Sequence, residues 1–154
     1  LNRGMALAQT GAAGRAVADL EAAGAATSTD ATVAGALALG WSETGRAAEA
    51  IALLRRVHAA APVDLAVSMN LARLLLTATP ATVRDPEAAL ALVAGVNDAT
   101  GGRDPRVLAT LAEALAATGR RRDAADAWSV AIALADESGS AALAADLRRR
   151  RTTR

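Results

Sequence analysis

The chain has 154 residues, with 17 basic and 16 acidic side chains, and its net charge of +1 argues against general attraction to nucleic acid or a membrane surface. There is no cysteine, which excludes disulfides and thiolate metal sites, and no apolar run reaches the roughly 20 residues of a membrane span. Apolar residues make up 53% of the chain, yet there is no Phe, no Tyr and only two Trp, so the core must be thin and built by close approach.

Taken in order, Leu1–Gln9 reads as the tail of a helix that starts upstream, turned by Gly11, with Ala12–Ala23 as its partner helix. Leu1 is not an initiator Met and falls inside that first helix, which points to the carboxy-terminal piece of something longer. Gly24–Thr29 is a small-residue connector and Asp30 an N-cap. Helices are predicted over 31–43 and 47–60, with a tight turn at Gly45 and a stop at Pro62. The next helix covers 65–77. The loop Thr77–Arg84 is broken by Thr79-Pro80, and Asp85-Pro86 restarts the chain as N-cap and first-turn proline. A short helix over 86–96 ends in the turn-rich Asn97–Gly102. Asp104-Pro105 then opens a pair over 105–118 and 121–136. Ser138–Ser140 turns the chain into a last helix, Ala141–Arg151, with Leu143 and Leu147 on one face. No β-rich alternating run is present, and Ala is the best helix former, so the chain reads as all-α.

The helices repeat. Ala31–Asp64 is a unit of 34 residues that can be laid over the rest of the chain. Small residues fall at positions eight and twenty (Ala38 and Ala50), and large ones at seven, eleven and twenty-four (Leu37, Trp41 and Leu54). The unit from Pro105 repeats this with Leu111, Ala112, Leu115, Gly119, Ala124 and Trp128, and Leu71, Ala72 and Leu75 keep the register between them. Two helices cross closely only where side chains are small, and larger neighbours fill the space beside the contact. One such pair cannot bury its apolar face alone, so pairs stack.

This register resembles the tetratricopeptide repeat, whose signature is W-x2-L-G-x2-Y followed by A-x3-F, A and P; Ala34 and Val57 depart from it. The resemblance implies a right-handed α-α superhelix of about four hairpins in a single domain. The expected layout is a partial repeat at 1–30, repeats at 31–64, 65–104 (with a longer inter-helix loop) and 105–138, and a capping helix at 139–151. The end of the chain also resembles a bacterial subgroup that closes the repeat region of larger proteins, including sulfatase-like enzymes and membrane glycosyltransferases. That likeness is of repeat style and carries over no enzymatic residue.

Catalysis is poorly supplied. His58 is the lone histidine and is expected on an exposed helix face; metal ligation would need companions that are absent. Asp123 with Asp126, and Glu43 with Arg46, read as solvated i,i+3 neighbours. Gly101-Gly102 lacks the Lys and Ser/Thr of a phosphate loop. Trp41 and Trp128 occupy packing registers. Arg120–Arg122 and Arg148–Arg151 read as a solvated turn and a chain end. No cofactor and no metal is expected.

In the tetratricopeptide family the first helix of each pair lines a concave groove. The polar residues this places there are Asn2, Gln9, Thr32, Ser42, Glu43, Asn70, Arg73, Thr77, Arg106, Thr110 and Glu113. An amide at position six, as in Asn2 and Asn70, offers donor and acceptor to a peptide backbone, and Arg73 or Arg106 could pair a carboxylate bidentately. The lysine positions of the chaperone-tail clamp hold Leu1, Gly35, Met69 and Ala109, and Thr32, Ala66 and Arg106, so only one is basic. The resemblance thus implies a module binding a protein or peptide partner, without chemistry of its own. The alternative is an accessory or oligomerisation domain of a larger bacterial enzyme, including a homodimer through apolar faces at the amino-terminal end. No nucleic-acid or membrane contact is expected, and a free-standing chain would be cytoplasmic.

Overall fold

The structure, a computed structural model, describes the backbone of residues 13–152 and the side chains of residues 16–152. The expected first helix at Leu1–Gln9, its turn at Gly11, and the groove residues Asn2 and Gln9 lie outside the described residues. Among those described there are eight α-helices and no strand: α1 (Ala13–Ala22), α2 (Ala31–Glu43), α3 (Ala47–Ala60), α4 (Leu65–Thr77), α5 (Pro86–Ala99), α6 (Pro105–Ala117), α7 (Arg121–Glu137) and α8 (Ala141–Thr152). Two single 3-10 turns, Ala25–Thr27 and Ala81–Val83, sit in connectors.

Aspartate starts four of the eight described helices. Asp30 accepts from Thr32 and Val33 at the head of α2, and Asp64 from Ala66 and Val67 at the head of α4. Asp104 does the same for Arg106 and Val107 on α6, and Asp85 caps α5 through Ala88 N. Each satisfies amides that the helix itself leaves open, contributing about 1 kcal/mol. The hairpin turns share a different device. After α2 the Arg46 amide donates back to Trp41 O and Gly45 sits at φ +84°; after α6, Arg120 donates to Leu115 O and Gly119 sits at φ +83°. That left-handed residue closes the helix end and is accessible to glycine at no steric cost.

Helix α5 runs to Ala99, three residues beyond the predicted end at residue 96. Asn97 and Asp98 fit its last turn, and the stop comes later, where Gly102 N donates to Asn97 O and Gly101 and Gly102 take positive φ.

The chain divides into two compact units, Leu1–Arg84 and Asp85–Arg154. The boundary falls at the end of the loop between α4 and α5, within the span 65–104 expected to form one repeat. Helix α4 therefore packs on α3, while α5 packs on α6. In the first unit α1 packs on α2 and α2 on α3; in the second, α6 packs on α7 and α7 on α8.

Both cores follow the small-beside-large register. Ala38, Ala50, Ala72, Ala112 and Ala131 are at most 1% exposed, flanked by buried Leu37, Leu54, Leu71, Leu108 and Trp128. Ala112 lies in one cluster with Trp128, Ala131 and Leu147, so no space exists for a larger side chain there. Ala112→Leu is expected to cost about 1–3 kcal/mol by overpacking, read as a lowered urea midpoint. Ala117→Leu, on the exposed end of the same helix, serves as control, and equal stability of the two variants would contradict the crossing.

Candidate functional site

The first unit carries a groove of about 660 Å³ between α2 and α4. One wall presents Thr32, Gly35, Leu39 and Ser42 from α2, the other Asn70, Arg73, Leu74 and Thr77 from α4. These recur at three- and four-residue steps, so each set forms one stripe along its helix. The floor is small and apolar, with Ala38 and Leu54 beneath.

Gly35 explains how the walls meet. A methyl group there would lie 3.2 Å from Asn70 Nδ2, so the missing side chain leaves room for the Asn70 amide against α2. Asn70 and Arg73 are exposed, and among the described residues neither side chain has a hydrogen-bond or ion-pair partner. Asp64 stands at the head of α4, where its Oδ1 accepts two backbone amides.

The structure thus gathers Ser42, Asn70 and Arg73 around one groove, together with Thr32 and Thr77. Glu43 is exposed at the end of α2 and is not among the residues lining it. Arg106 belongs to the second unit. It borders a shallower depression of about 610 Å³ with Arg103, Ser138, Ser140 and Leu143.

Thr110 and Glu113 correct the expectation of an open groove along α6. Thr110 is 4% exposed with its hydroxyl donating to Arg106 O, and Glu113 is 6% exposed. Glu113 Oε1 accepts from Arg150 at 2.7 Å, a contact 37 residues along the chain that ties α6 to α8. The polar groups at both positions are spent inside the fold, Thr110 on its own helix and Glu113 on α8.

Leu39, Leu74 and Gly35 are groove residues that a search for polar side chains passes over. Leu39 occupies position nine of its repeat, a groove position like that of Arg73, and is 49% exposed. An aliphatic side chain at a solvent-facing register was the available signal.

Several charged residues are placed differently from the helical-neighbour expectation. Arg46 does not pair with Glu43, because the Gly45 turn reverses the chain between them. It pairs with Glu49 and with Glu21 of α1, both at 2.6 Å. Its guanidinium also lies 4.7 Å from the centre of the Trp41 ring, and Trp41 Nε1 donates to Glu21 at 2.8 Å. Trp41 is 7% exposed, in its expected packing role. Asp123 pairs with Arg120 at 2.8 Å. His58 is half-buried rather than exposed: its Nδ1 lies 3.2 Å from the Ser68 hydroxyl, which donates to Asp64 O. In the terminal arginine run, Arg148 pairs with Asp136, Arg149 with Asp146 and Arg150 with Glu113.

The Arg46 guanidinium, donating to Glu21, holds that carboxyl below the usual glutamate value of 4.5, with the Trp41 N–H adding to the effect; Arg46 lowers Glu49 likewise. A carboxylate whose folded pKa is depressed adds stability that is present above its unfolded pKa and lost as pH falls through the folded one. The urea midpoint should therefore fall as pH is lowered below about 4.5. Glu21→Gln should start lower at pH 7 and lose less on acidification. Parallel pH profiles for the two proteins would remove Glu21 from this role.

Among the described residues no group of His, Cys, Asp and Glu could hold a metal ion, and no helix is long and apolar enough to cross a membrane.

No family profile matches the chain, and no curated protein matches it in sequence. Among solved structures it is similar to MamA AMB-1 in crystal form P212121, with 26% identity and a TM-score of 0.76 over 98% of this chain and 86% of that one. MamA AMB-1 in form C2221 gives 23% identity and a TM-score of 0.70, over 97% and 92% of the two chains. MamA MSR-1 in form C2 gives 23% and 0.69, over 97% and 90%. MamA is a helical-repeat protein of tetratricopeptide type. This likeness and the eight described helices establish the all-α helical-repeat fold that the register implied.

Proposed function

We infer that this chain is a protein-interaction module that receives a peptide or partner segment in the groove of its first unit, without chemistry of its own. The observation that carries the reading is the pair Asn70 and Arg73. They stand one helical turn apart on α4, exposed to the groove, and among the described residues neither side chain has a hydrogen-bond or ion-pair partner. Ser42 and Thr32 face them from α2. A surface that displays an exposed amide and an exposed guanidinium beside exposed Leu39 suits recognition of a peptide backbone and its side chains. The helical-repeat fold shared with MamA supports a role in binding proteins. Glu43 is not among the residues lining this groove, and Arg106 belongs to the second unit.

The test is a peptide-array screen of the wild type against Asn70→Ala/Arg73→Ala. Both sites are exposed, so the double variant should keep its helical circular dichroism while losing most spots. Equal binding by the two proteins would refute the groove as the site.

A further inference from the structure

Resting on the groove reading above, we propose that the first unit selects a segment in which an aliphatic residue stands next to an acidic one. Leu39 and Arg73 are each the ninth residue of a parallel-placed repeat helix, α2 from Ala31 and α4 from Leu65. They therefore stand at the same level on opposite walls of one groove. Adjacent side chains of an extended peptide point to opposite sides. A peptide running along the groove thus directs one side chain to the α2 wall and the next to the α4 wall.

The chemistry of the walls differs. On the α2 side Leu39 is 49% exposed beside Ala36, with no charged group lining that wall. On the α4 side Arg73 has no carboxylate partner among the described residues. The groove's own carboxylate, Asp64, is nine residues earlier on the same helix, about 14 Å away at 1.5 Å per residue. Its Oδ1 is engaged with the amides of Ala66 and Val67. The groove is thus acidic at the head of α4 and basic at the level of Leu39, which places the acidic side chain of the guest against Arg73. Asn70, one turn before Arg73, is left to bond the guest backbone.

Fluorescence anisotropy with three labelled hexapeptides tests this: Gly-Gly-Leu-Asp-Gly-Gly, the same peptide with Lys for Asp, and the same with Ser for Leu. The wild type should bind the Leu-Asp peptide at least about tenfold more tightly than the Leu-Lys peptide, the scale of one charge-assisted contact. Arg73→Glu should reverse that order. Leu39→Ser should abolish the preference for Leu over Ser and leave the Asp-over-Lys preference in place. Both residues are exposed, so circular dichroism should be unchanged. Equal affinity for Leu-Asp and Leu-Lys, with binding still lost in Asn70→Ala, would overturn the specificity and leave the groove reading standing. Failure of the wild type to bind any arrayed peptide would overturn both. Sedimentation of the wild type alone is run alongside: a dimer abolished by Arg73→Glu would put a second copy of the chain in the groove and overturn the proposal.

Discussion

Replacing Trp128 by alanine should lower the stability of the protein by about 3–5 kcal/mol, the range for removing a buried aromatic ring. Trp128 is 4% exposed and lies in the core of the second unit with Leu108, Ala112, Ala131 and Leu147. Half of its cluster neighbours are alanines, which carry too few atoms to move into the space the indole leaves. The void should therefore persist rather than collapse, placing the cost toward the upper end. The ring also supports Arg150, whose guanidinium lies 5.7 Å from its centre while pairing with Glu113. Urea unfolding followed by circular dichroism measures the loss. A change below about 1 kcal/mol would mean that the ring does not carry this core.

Leu147→Ala should cost about 2–5 kcal/mol and release α8 first. Leu147 is 0% exposed, and with Ala144 it makes up the buried side of that helix. The second half of α8 is polar apart from Leu147, with four consecutive arginines, Arg148–Arg151, before Thr152. Repeat arrays need such a helix, apolar inward and polar outward, to close their last hairpin. Losing the one fully buried leucine leaves half-buried Leu143 and the Arg150–Glu113 and Arg148–Asp136 pairs to hold the helix. The exposed Arg148–Asp136 pair contributes about 0–1 kcal/mol, and the Arg150–Glu113 pair, whose carboxylate is buried, ties α8 to α6 at a single point. Hydrogen exchange should show α8 losing protection while α2 and α3 keep theirs. Full protection of α8 in this variant would deny it the capping role.

Much of the architecture was legible in the residues alone. The bounds of α2, α3 and α4 match their predicted ranges, because their starts and stops are local events: an aspartate whose carboxylate caps the next amides, and a glycine that can take positive φ. The burial of Ala38, Ala72 and Ala112 was legible too, since a fixed period can be counted without knowing the fold. Helix α5 was read short because Asn and Asp favour turns, and the residues that end it lie farther on.

The site was only half legible. Asn70 and Arg73 follow from the repeat register, but Gly35 looks like a weak helix residue until Asn70 is seen against it. Leu39 looks like core until its exposure is known.

By itself the sequence determined which segments are helical, where they turn and which small residues mark the crossings, because caps, turns and periodicity act over a few neighbouring residues. Only the tertiary structure decided that Arg46 reaches back to Glu21, that α8 reaches Glu113 through Arg150, and that Asn70 and Arg73 are exposed in one groove. Those outcomes join residues 25 to 37 positions apart or depend on what is left uncovered. The free energy of such contacts comes from packing that no local pattern encodes.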